Sequence, residues 1–438
     1  MRLLRGVLSA LLLCAGFPFG SESQALLDPA VEGNQRLTSL TDGILHLTFE
    51  ERTRWEERYG VNFGEAPNQQ DMLSRLRFGA DIRPASWLKI TLTGQDARAP
   101  FYGPNAPGSM RDTADLQESY IELFPKAKSG FGAIFGREML DFGESRVIGT
   151  PQWSNTARTY DGGRVSYRKG PLRMEALLLS PVVVQPDAFN GPEFGNHIWG
   201  TYNVISQFWK GLSIDAYALR HSQNKSGGFS GEGTLGTNTF GARLYGPLPW
   251  AMTYDLEGIG QGGHIGPKTQ RAYAWFAGAT KATKLWEMPL IFSAEYKLAS
   301  GSRADSHNSG TYDQISPANH DKFGHEDLFG WRNLKTFRSL ETLHWTKAFA
   351  LNVMYSDEHL VSATDALYNS SGAAIAKSET GTAGTHVGQE LDAFLTYKCG
   401  HHTFGAGFGH FFAGEFVRAT TPGVNPRYFY VFQQYTIK

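Results

Sequence analysis

Between Met72 and Arg83, apolar and charged side chains alternate residue by residue. Met72, Leu76, Phe78, Ala80 and Ile82 share one parity, and Arg75, Arg77, Asp81 and Arg83 share the other. Successive side chains of an extended strand point to opposite faces, so this segment predicts a strand with one greasy face and one ladder of ions. Ile44–Tyr59 reads the same way, with Leu45, Leu47, Phe49 and Trp55 opposed to His46, Thr48, Glu50, Arg52, Arg54 and Glu56. Pro84-Ala85-Ser86 turns the chain into Trp87–Gln95, where Leu88, Ile90 and Leu92 alternate with Lys89, Thr91, Thr93 and Gln95. In Ala114–Phe124, Ile121 and Leu123 oppose Glu118, Tyr120 and Glu122, and Phe131–Glu138 follows.

The rhythm continues with fewer charges through Arg164–Tyr167, Arg173–Leu179, Trp199–Phe208, Leu212–Leu219, Thr239–Leu244, Ala251–Glu257 and Arg271–Thr280. It resumes in Leu290–Leu298, Leu334–Thr346, Phe349–Tyr355, Glu390–Tyr397, Thr403–Phe412 and Tyr428–Tyr435. At roughly 20–25 residues per strand, the series predicts an all-β chain of about 18 strands (16–18). The recurrence points to a single transmembrane antiparallel barrel, with lipid outside and charge inside. Short turns are expected on the periplasmic side and long loops outside the cell. The long connections are Asp96–Thr113, His221–Asn238, Ser300–Arg332 and Val361–Gln389. The last three read as too poor in apolar residues to form cores, and some are expected to fold inward as a constriction.

Targeting agrees with this reading. Arg2 and Arg5, the apolar stretch Val7–Ala15 and Ser23-Gln24-Ala25 form an export signal over residues 1–25. Residues 26–43 are then an N-terminal periplasmic lead-in, and 44–438 the outer-membrane barrel. No window approaches the ~18 uninterrupted apolar residues of a membrane helix, a test that barrels escape because only alternate residues face lipid. An aromatic content of 13% and 50 glycines suit many short strands with aromatic girdles and tight turns. The formal net charge of -1 gives no basic field and excludes a nucleic-acid role. Cys14 lies in the signal, which leaves Cys399 as a lone strand-end thiol with no disulfide partner.

The densest motif runs Gly136-Arg137-Glu138-Met139-Leu140-Asp141-Phe142-Gly143-Glu144-Ser145-Arg146-Val147-Ile148-Gly149. It continues through Trp153-Ser154-Asn155-Thr156-Ala157-Arg158-Thr159-Tyr160-Asp161-Gly162. It resembles the alginate-export family of outer-membrane barrels, in which a Gly-Arg-led strand end leads to a Trp…Arg…Asp segment. Three further stretches extend the resemblance from about residue 44 to the C-terminus: Gly324–Leu334, Gly388-Gln389-Glu390-Leu391-Asp392 and Phe411-Phe412-Ala413-Gly414-Glu415-Phe416. It implies an 18-stranded barrel acting as an anion-selective pore for a polyuronate. By matching motif position, Arg137, Arg146, Arg158 and Asp161 are lumen candidates. Parity alone adds Arg52, Arg54, Arg75, Arg77, Arg83, Asp81, Glu50, Glu118 and Glu122. Guanidinium matches carboxylate bidentately, and interspersed acids keep the path from holding a polyanion too tightly.

Two departures stand against this picture. Parity puts Arg137 on the face of Phe131 and Phe135, where mid-membrane burial would cost roughly 2–4 kcal/mol. A bulge at Gly136, a position beyond the hydrocarbon, or inward phenylalanines would each resolve it, and the first two are preferred. The chain also ends Tyr435-Thr436-Ile437-Lys438 rather than on an aromatic residue.

The 13 histidines, including His320/His325 and His401-His402, match no zinc spacing. No cofactor is expected, apart from loop Ca²⁺ through Asp305, Asp321 and Asp327. Without a Gly-x-Ser-x-Gly elbow, a P-loop or an isolated carboxylate pair, the chain does not read as an enzyme. The expected partners are outer-membrane lipid, an anionic polysaccharide or oligosaccharide and a periplasmic export scaffold, with the barrel acting as a monomer. Two other readings stay open: an uptake porin for small solutes, and a structural or adhesive barrel with a closed lumen.

Overall fold

The computed structural model describes residues 29–103, 106–125, 129–224, 233–304, 307–320 and 322–437. The expected signal, residues 1–25, lies outside them. Eighteen strands close into one antiparallel barrel. The first nine are β1 Leu45–Tyr59, β2 Gln69–Ala85, β3 Leu88–Arg98, β4 Asp112–Leu123, β5 Gly130–Glu138, β6 Tyr160–Lys169, β7 Leu172–Val183, β8 Asn196–Trp209 and β9 Leu212–Gln223. The rest are β10 Leu235–Leu248, β11 Met252–Ile265, β12 Lys268–Leu285, β13 Met288–Ala299, β14 Leu334–His344, β15 Phe349–Leu360, β16 His386–Cys399, β17 His402–Ala413 and β18 Arg427–Ile437. Each strand pairs with the next, and β18 closes on β1 from Tyr59↔Arg427 to Phe49↔Ile437. Closure leaves no edge strand whose peptide groups would have to face lipid.

The wall is two-sided as the alternation predicts. On β2, Leu76 and Phe78 are 45% and 56% exposed on the outside, whereas Arg75 and Arg77 are 2% and 6% exposed on the inside. One rim carries two-residue turns such as Lys210-Gly211, both at positive φ (45° and 83°), the geometry that matches the twist of a tight hairpin. Five of the ten tryptophans, Trp87, Trp209, Trp250, Trp286 and Trp345, lie at or beside such turns and are exposed. Their amphipathic rings form a girdle of the kind that sits at a membrane–water interface. The opposite rim carries nearly all the long connections.

Two of those connections, 300–333 and 361–385, correct the expectation that such loops are too poor in apolar residues to form cores, and the segment 139–159 joins them. The described residues of 139–159, 300–333 and 361–385 fold into the barrel and fill its long-loop half with an apolar core. Leu140, Phe142, Val147 and Ile148 from the first, Tyr312, Phe323, Phe329 and Trp331 from the second, and Leu367 and Ala376 from the third are all buried there. They pack on inward wall residues such as Leu177, Leu179, Ile198 and Phe411. The first two loops join through a parallel bridge at Ile148↔Ser316.

Among the described residues, two α-helices lie outside the strand pattern. Helix α1, Pro29–Leu40, occupies what was expected to be a plain lead-in. The Asn34 amide donates to the Leu47 carbonyl (2.7 Å) and accepts from the Leu47 N–H (3.1 Å), beyond the point where β18 stops covering β1. Helix α2, Glu415–Thr420, sits between β17 and β18 and buries Phe416 and Val417. Cys399 is the exposed last residue of β16.

Candidate functional site

The strands β1 and β2 pair without a register shift from Leu45↔Ile82 to Arg58↔Gln69, so one parity faces the lumen along their whole length. That inner face carries Arg52, Arg54, Arg58, Arg75, Arg77 and Arg83 against Glu50, Glu56, Asp71 and Asp81, six cations to four anions. Four of the arginines grip the inward loop at residues 152–156. Arg52 donates to the carbonyls of Gln152, Trp153 and Ser154, each at 3.0 Å. Arg54 donates to Trp153 O (2.7 Å), and Arg75 to Gln152 O (3.1 Å) and Ser154 O (2.9 Å). Each of these three carbonyls therefore receives two guanidinium donors. Arg77 reaches the Gln152 side chain (3.1 Å), and Glu50 holds Arg75 at 2.7 Å. The loop is fixed from the other side by Asn155, whose side-chain nitrogen lies 2.8 Å from Met110 O and 3.0 Å from Ser74 O.

Across the barrel, Arg146 bonds Asp255 (2.6 Å) and Glu257 (2.8 Å) of β11, its guanidinium 3.5 Å from the Phe276 ring centre. Burial alone would lower the Arg146 guanidinium, but Glu257 and Asp255 hold it above its ordinary value. Arg243 of β10 extends the chain of charges to Glu144, Asp215 and Asp255. Glu295, Lys297 and Arg338 form a neighbouring cluster on β13 and β14.

The second inward loop is locked by charge as well as by its aromatic residues. Asp313 lies 2.7 Å from His221 and 3.1 Å from Arg332. Burial pushes the Asp313 carboxyl up, and the two partners more than reverse that, leaving it at about 2. Arg332 also donates to Gly372 O (2.9 Å), tying the second loop to the third. The wall residues Glu390 and Asp392 accept from the backbone N–H groups of Glu326 (3.0 Å) and His325 (3.3 Å). Two of the sequence motifs thus meet, one supplying the loop amides and the other the carboxylates. A third meets them through Phe411, which packs on Phe329 (5.4 Å) and Phe63 (5.7 Å). Burial first, and then the charge of Asp392, raise the Glu326 carboxyl to about 8.

Between the arginine wall and these loops lies a cleft of about 310 Å³, bordered by Arg54, Arg58, Trp153, Arg158, His320 and Asp327 among others. Arg54 stands 4.1 Å from the Trp153 ring centre, and His320 stacks on the same indole at 4.7 Å.

The expected lumen residues are distributed unevenly. Glu50, Arg52, Arg54, Arg75 and Arg77 gather at the loop clamp. Arg158 lies across the cleft, donating to Gly149 O (3.2 Å) and Pro317 O (2.8 Å). Glu118 accepts from the Met139 N–H (3.2 Å) where the first loop leaves the wall. Asp81, Arg83 and Glu122 lie nearer the short-turn rim, where Asp81 accepts from Thr91 (2.6 Å) and Glu122 pairs with Lys89 (3.3 Å). Arg146, on the first inward loop, reaches the opposite wall at Asp255 and Glu257.

Arg137 and Asp161 are corrected: they are not in the lumen. The β4–β5 and β5–β6 registers run without a shift, so no bulge at Gly136 swaps the faces. Both residues share the outward parity of exposed Phe131, Phe135 and Val165, at the long-loop ends of β5 and β6. They pair bidentately (2.7 and 2.9 Å), and Arg137 also donates to Leu116 O and Asn190 O. The pair latches strand ends and loop 184–195 together at the rim. Of the expected Ca²⁺ ligands, Asp305 and Asp321 lie outside the described residues, and Asp327 bonds His320 at 2.9 Å. Residue reading missed Gln152, Trp153 and Asn155 as clamp partners, and Asp255, Glu257 and Arg243 on the far wall. The Trp153-Ser154-Asn155-Thr156 motif was the available signal for the first group.

Residues 44–431 match the family model described as alginate export. No curated protein matches the chain by sequence. Solved structures resemble it over most of their length. Pseudomonas aeruginosa OccK2 (OpdF) in complex with glucuronate aligns at TM-score 0.63 and 9% identity, over 90% of this chain and 98% of that one. P. aeruginosa OpdK with vanillate aligns at 0.60 and 8%, over 90% and 98%. Acinetobacter baumannii OccAB1 aligns at 0.58 and 11%, over 90% and 96%. At these identities the likeness is one of fold.

Proposed function

The chain belongs to the alginate export family, and from that premise we propose that it is an outer-membrane channel whose arginine-lined passage admits carboxylate-bearing saccharides. The observation that carries this reading is the inner face of β1 and β2, whose arginine column borders the cleft shared with Arg158. A uronate entering the passage loses hydration, and guanidinium groups replace it with bidentate donors. Glu56 and Asp327 at the same cleft temper the field, so that a bound anion can leave. In this reading the signal delivers the chain to the periplasm, the tryptophan girdle faces that side and the long loops face outward.

The cleft, about 310 Å³, stands at the low end of the ~300–1,000 Å³ typical of small-ligand sites. It suits short saccharides as the loops stand, and threading a polymer requires loops 139–159 and 300–333 to shift. The second reading is an uptake route for small carboxylates. It is favoured by two similar folds solved with glucuronate and with vanillate.

Planar-bilayer recording separates these readings. A reversal potential showing anion selectivity is expected, with current reduced by an oligouronate and the reduction weakened in Arg158→Gln. A response to glucuronate and vanillate without one to the oligouronate selects the small-carboxylate route. Cation selectivity, or a current indifferent to every uronate, refutes the proposal.

A further inference from the structure

On the outer face of the barrel, at the long-loop ends of β15 and β16, Asp357, His359 and His386 converge. His359 Nε2 stands 3.4 Å from one carboxylate oxygen of Asp357, and His386 Nε2 stands 3.1 Å from the other. The two imidazole rings are 4.8 Å apart, tilted by 36°. The three ligand atoms lie within 4.8 Å of one another, and all three side chains are about one-third exposed.

A local irregularity in the wall creates this convergence. Strand register runs Glu358↔Gly388 and then His359↔His386, so Val387 is an extra residue on β16. Strict alternation would send Val387 outward and His386 inward. The bulge reverses both: Val387 is fully buried in the apolar core, and His386 joins Asp357 and His359 on the outside. Bulges commonly serve to re-aim a side chain in this way.

We propose that Asp357, His359 and His386 form a binding site for a divalent transition-metal ion of the zinc class. A tetrahedral ion with bonds of about 2.0–2.1 Å spaces neighbouring ligand atoms about 3.3 Å apart. The His–Asp separations of 3.4 and 3.1 Å are of that size but run to the two different oxygens of Asp357, so the carboxylate turns to present one of them to the ion. Two neutral imidazoles and one carboxylate select Zn²⁺, Ni²⁺ or Cu²⁺ over Ca²⁺ and Mg²⁺, which prefer all-oxygen shells. Three protein ligands leave a fourth position open toward the outer surface. Lys335, the register partner of His359 on β14, shares the outward face; it opposes the ion's charge and supplies no ligand. Across the rim, Glu415 faces the Thr385 N–H at 3.4 Å, one residue before His386. A bound ion fastens β15 to β16 at the root of loop 361–385, the loop that packs inside the lumen.

The test uses the full barrel in detergent after chelator treatment. One equivalent of Zn²⁺ is expected to bind at least tenfold more tightly than Ca²⁺. Co²⁺ is expected to give the visible absorption of a low-coordinate site. His359→Ala/His386→Ala, which removes two surface side chains, should lose that equivalent and the absorption. Its heat-modifiable migration on a gel, the mark of a folded barrel, should stay normal. An equivalent retained by the folded double variant, no Zn²⁺ uptake by the wild-type chain, or equal affinity for Ca²⁺ overturns the proposal. Because the site lies outside the passage, its failure would leave the channel reading intact.

Discussion

Doubled donors at the loop clamp make a specific non-additivity expected. In Arg52→Met, three charge-assisted bonds disappear, yet Gln152 O and Ser154 O keep Arg75 and Trp153 O keeps Arg54. No carbonyl is orphaned, and the crowding of like charges eases, so a loss of about 1–3 kcal/mol in the local opening energy is expected. Arg75→Met removes two such bonds and the Glu50 pair, with a loss of similar size. In the double variant Gln152 O and Ser154 O lose every arginine donor, and each orphaned carbonyl adds about 1–3 kcal/mol. The double variant should therefore lose about 2–6 kcal/mol more than the sum of the two single changes. Amide hydrogen exchange at Asn155 and Thr156 reads this directly, since both N–H groups donate to Ser109 O in the clamped loop. A single variant should speed their exchange by about fivefold or more, and the double variant by at least roughly thirtyfold beyond the product of the singles. Additivity within about 0.5 kcal/mol would refute the shared-carbonyl account, as would unchanged exchange in either single variant.

Three other outcomes follow from the same geometry. Glu326 titrates higher in the folded chain than in an unfolded one, so its contribution to loop docking is full at low pH. That contribution is lost as pH rises from the ordinary carboxyl value toward about 8. Exchange in residues 322–333 should quicken between about pH 5 and 8 in the wild type, beyond the intrinsic effect of pH, and Glu326→Gln should make the profile shallower; a flat wild-type profile would count against it. Phe329→Ala removes a fully buried ring packed on Phe63 and Phe411 and should cost about 3–5 kcal/mol, read as loss of protection across all three inward loops. Arg137→Ala should loosen the ends of β5 and β6 yet leave ion selectivity unchanged, and a changed reversal potential would contradict its outward placement.

How far residue order foretold this structure varies from strand to strand. On β1 and β2 the pairing never slips, so parity read from the chain is parity in space, and Arg52, Arg54, Arg75 and Arg77 could be placed from the sequence alone. At Thr93/Gly94 and Glu358/His359 the ladder slips, and beyond such points counting by two fails. His386 went unnoticed for that reason. The inward loops were misjudged because Tyr312, Phe323, Phe329 and Trp331 follow no period. Their signal lay on the wall instead: Ala176-Leu177-Leu178-Leu179 is apolar on both faces, with Leu178 outward and Leu177 and Leu179 buried inside. A lumen that needs grease is one that something greasy fills. Arg137 carried a warning in its parity with Phe135, and the resemblance to a family motif argued the other way; the parity was the better guide. Helix α1 rests on a side-chain amide thirteen residues from its partner, which no local pattern announces.

The Asn34 amide has a consequence for how the cylinder shuts. Within the described residues the last strand's pairing with the first stops at Phe49↔Ile437, and the Leu47 peptide groups stand beyond it at a notch in the wall. By answering both polar atoms of Leu47, one asparagine impersonates the missing stretch of neighbour, and the helix that carries it lies over the gap like a latch. Trimming the chain ahead of residue 41 should therefore leave the sealed wall intact while opening that notch to strangers, a foothold for a second copy's strand.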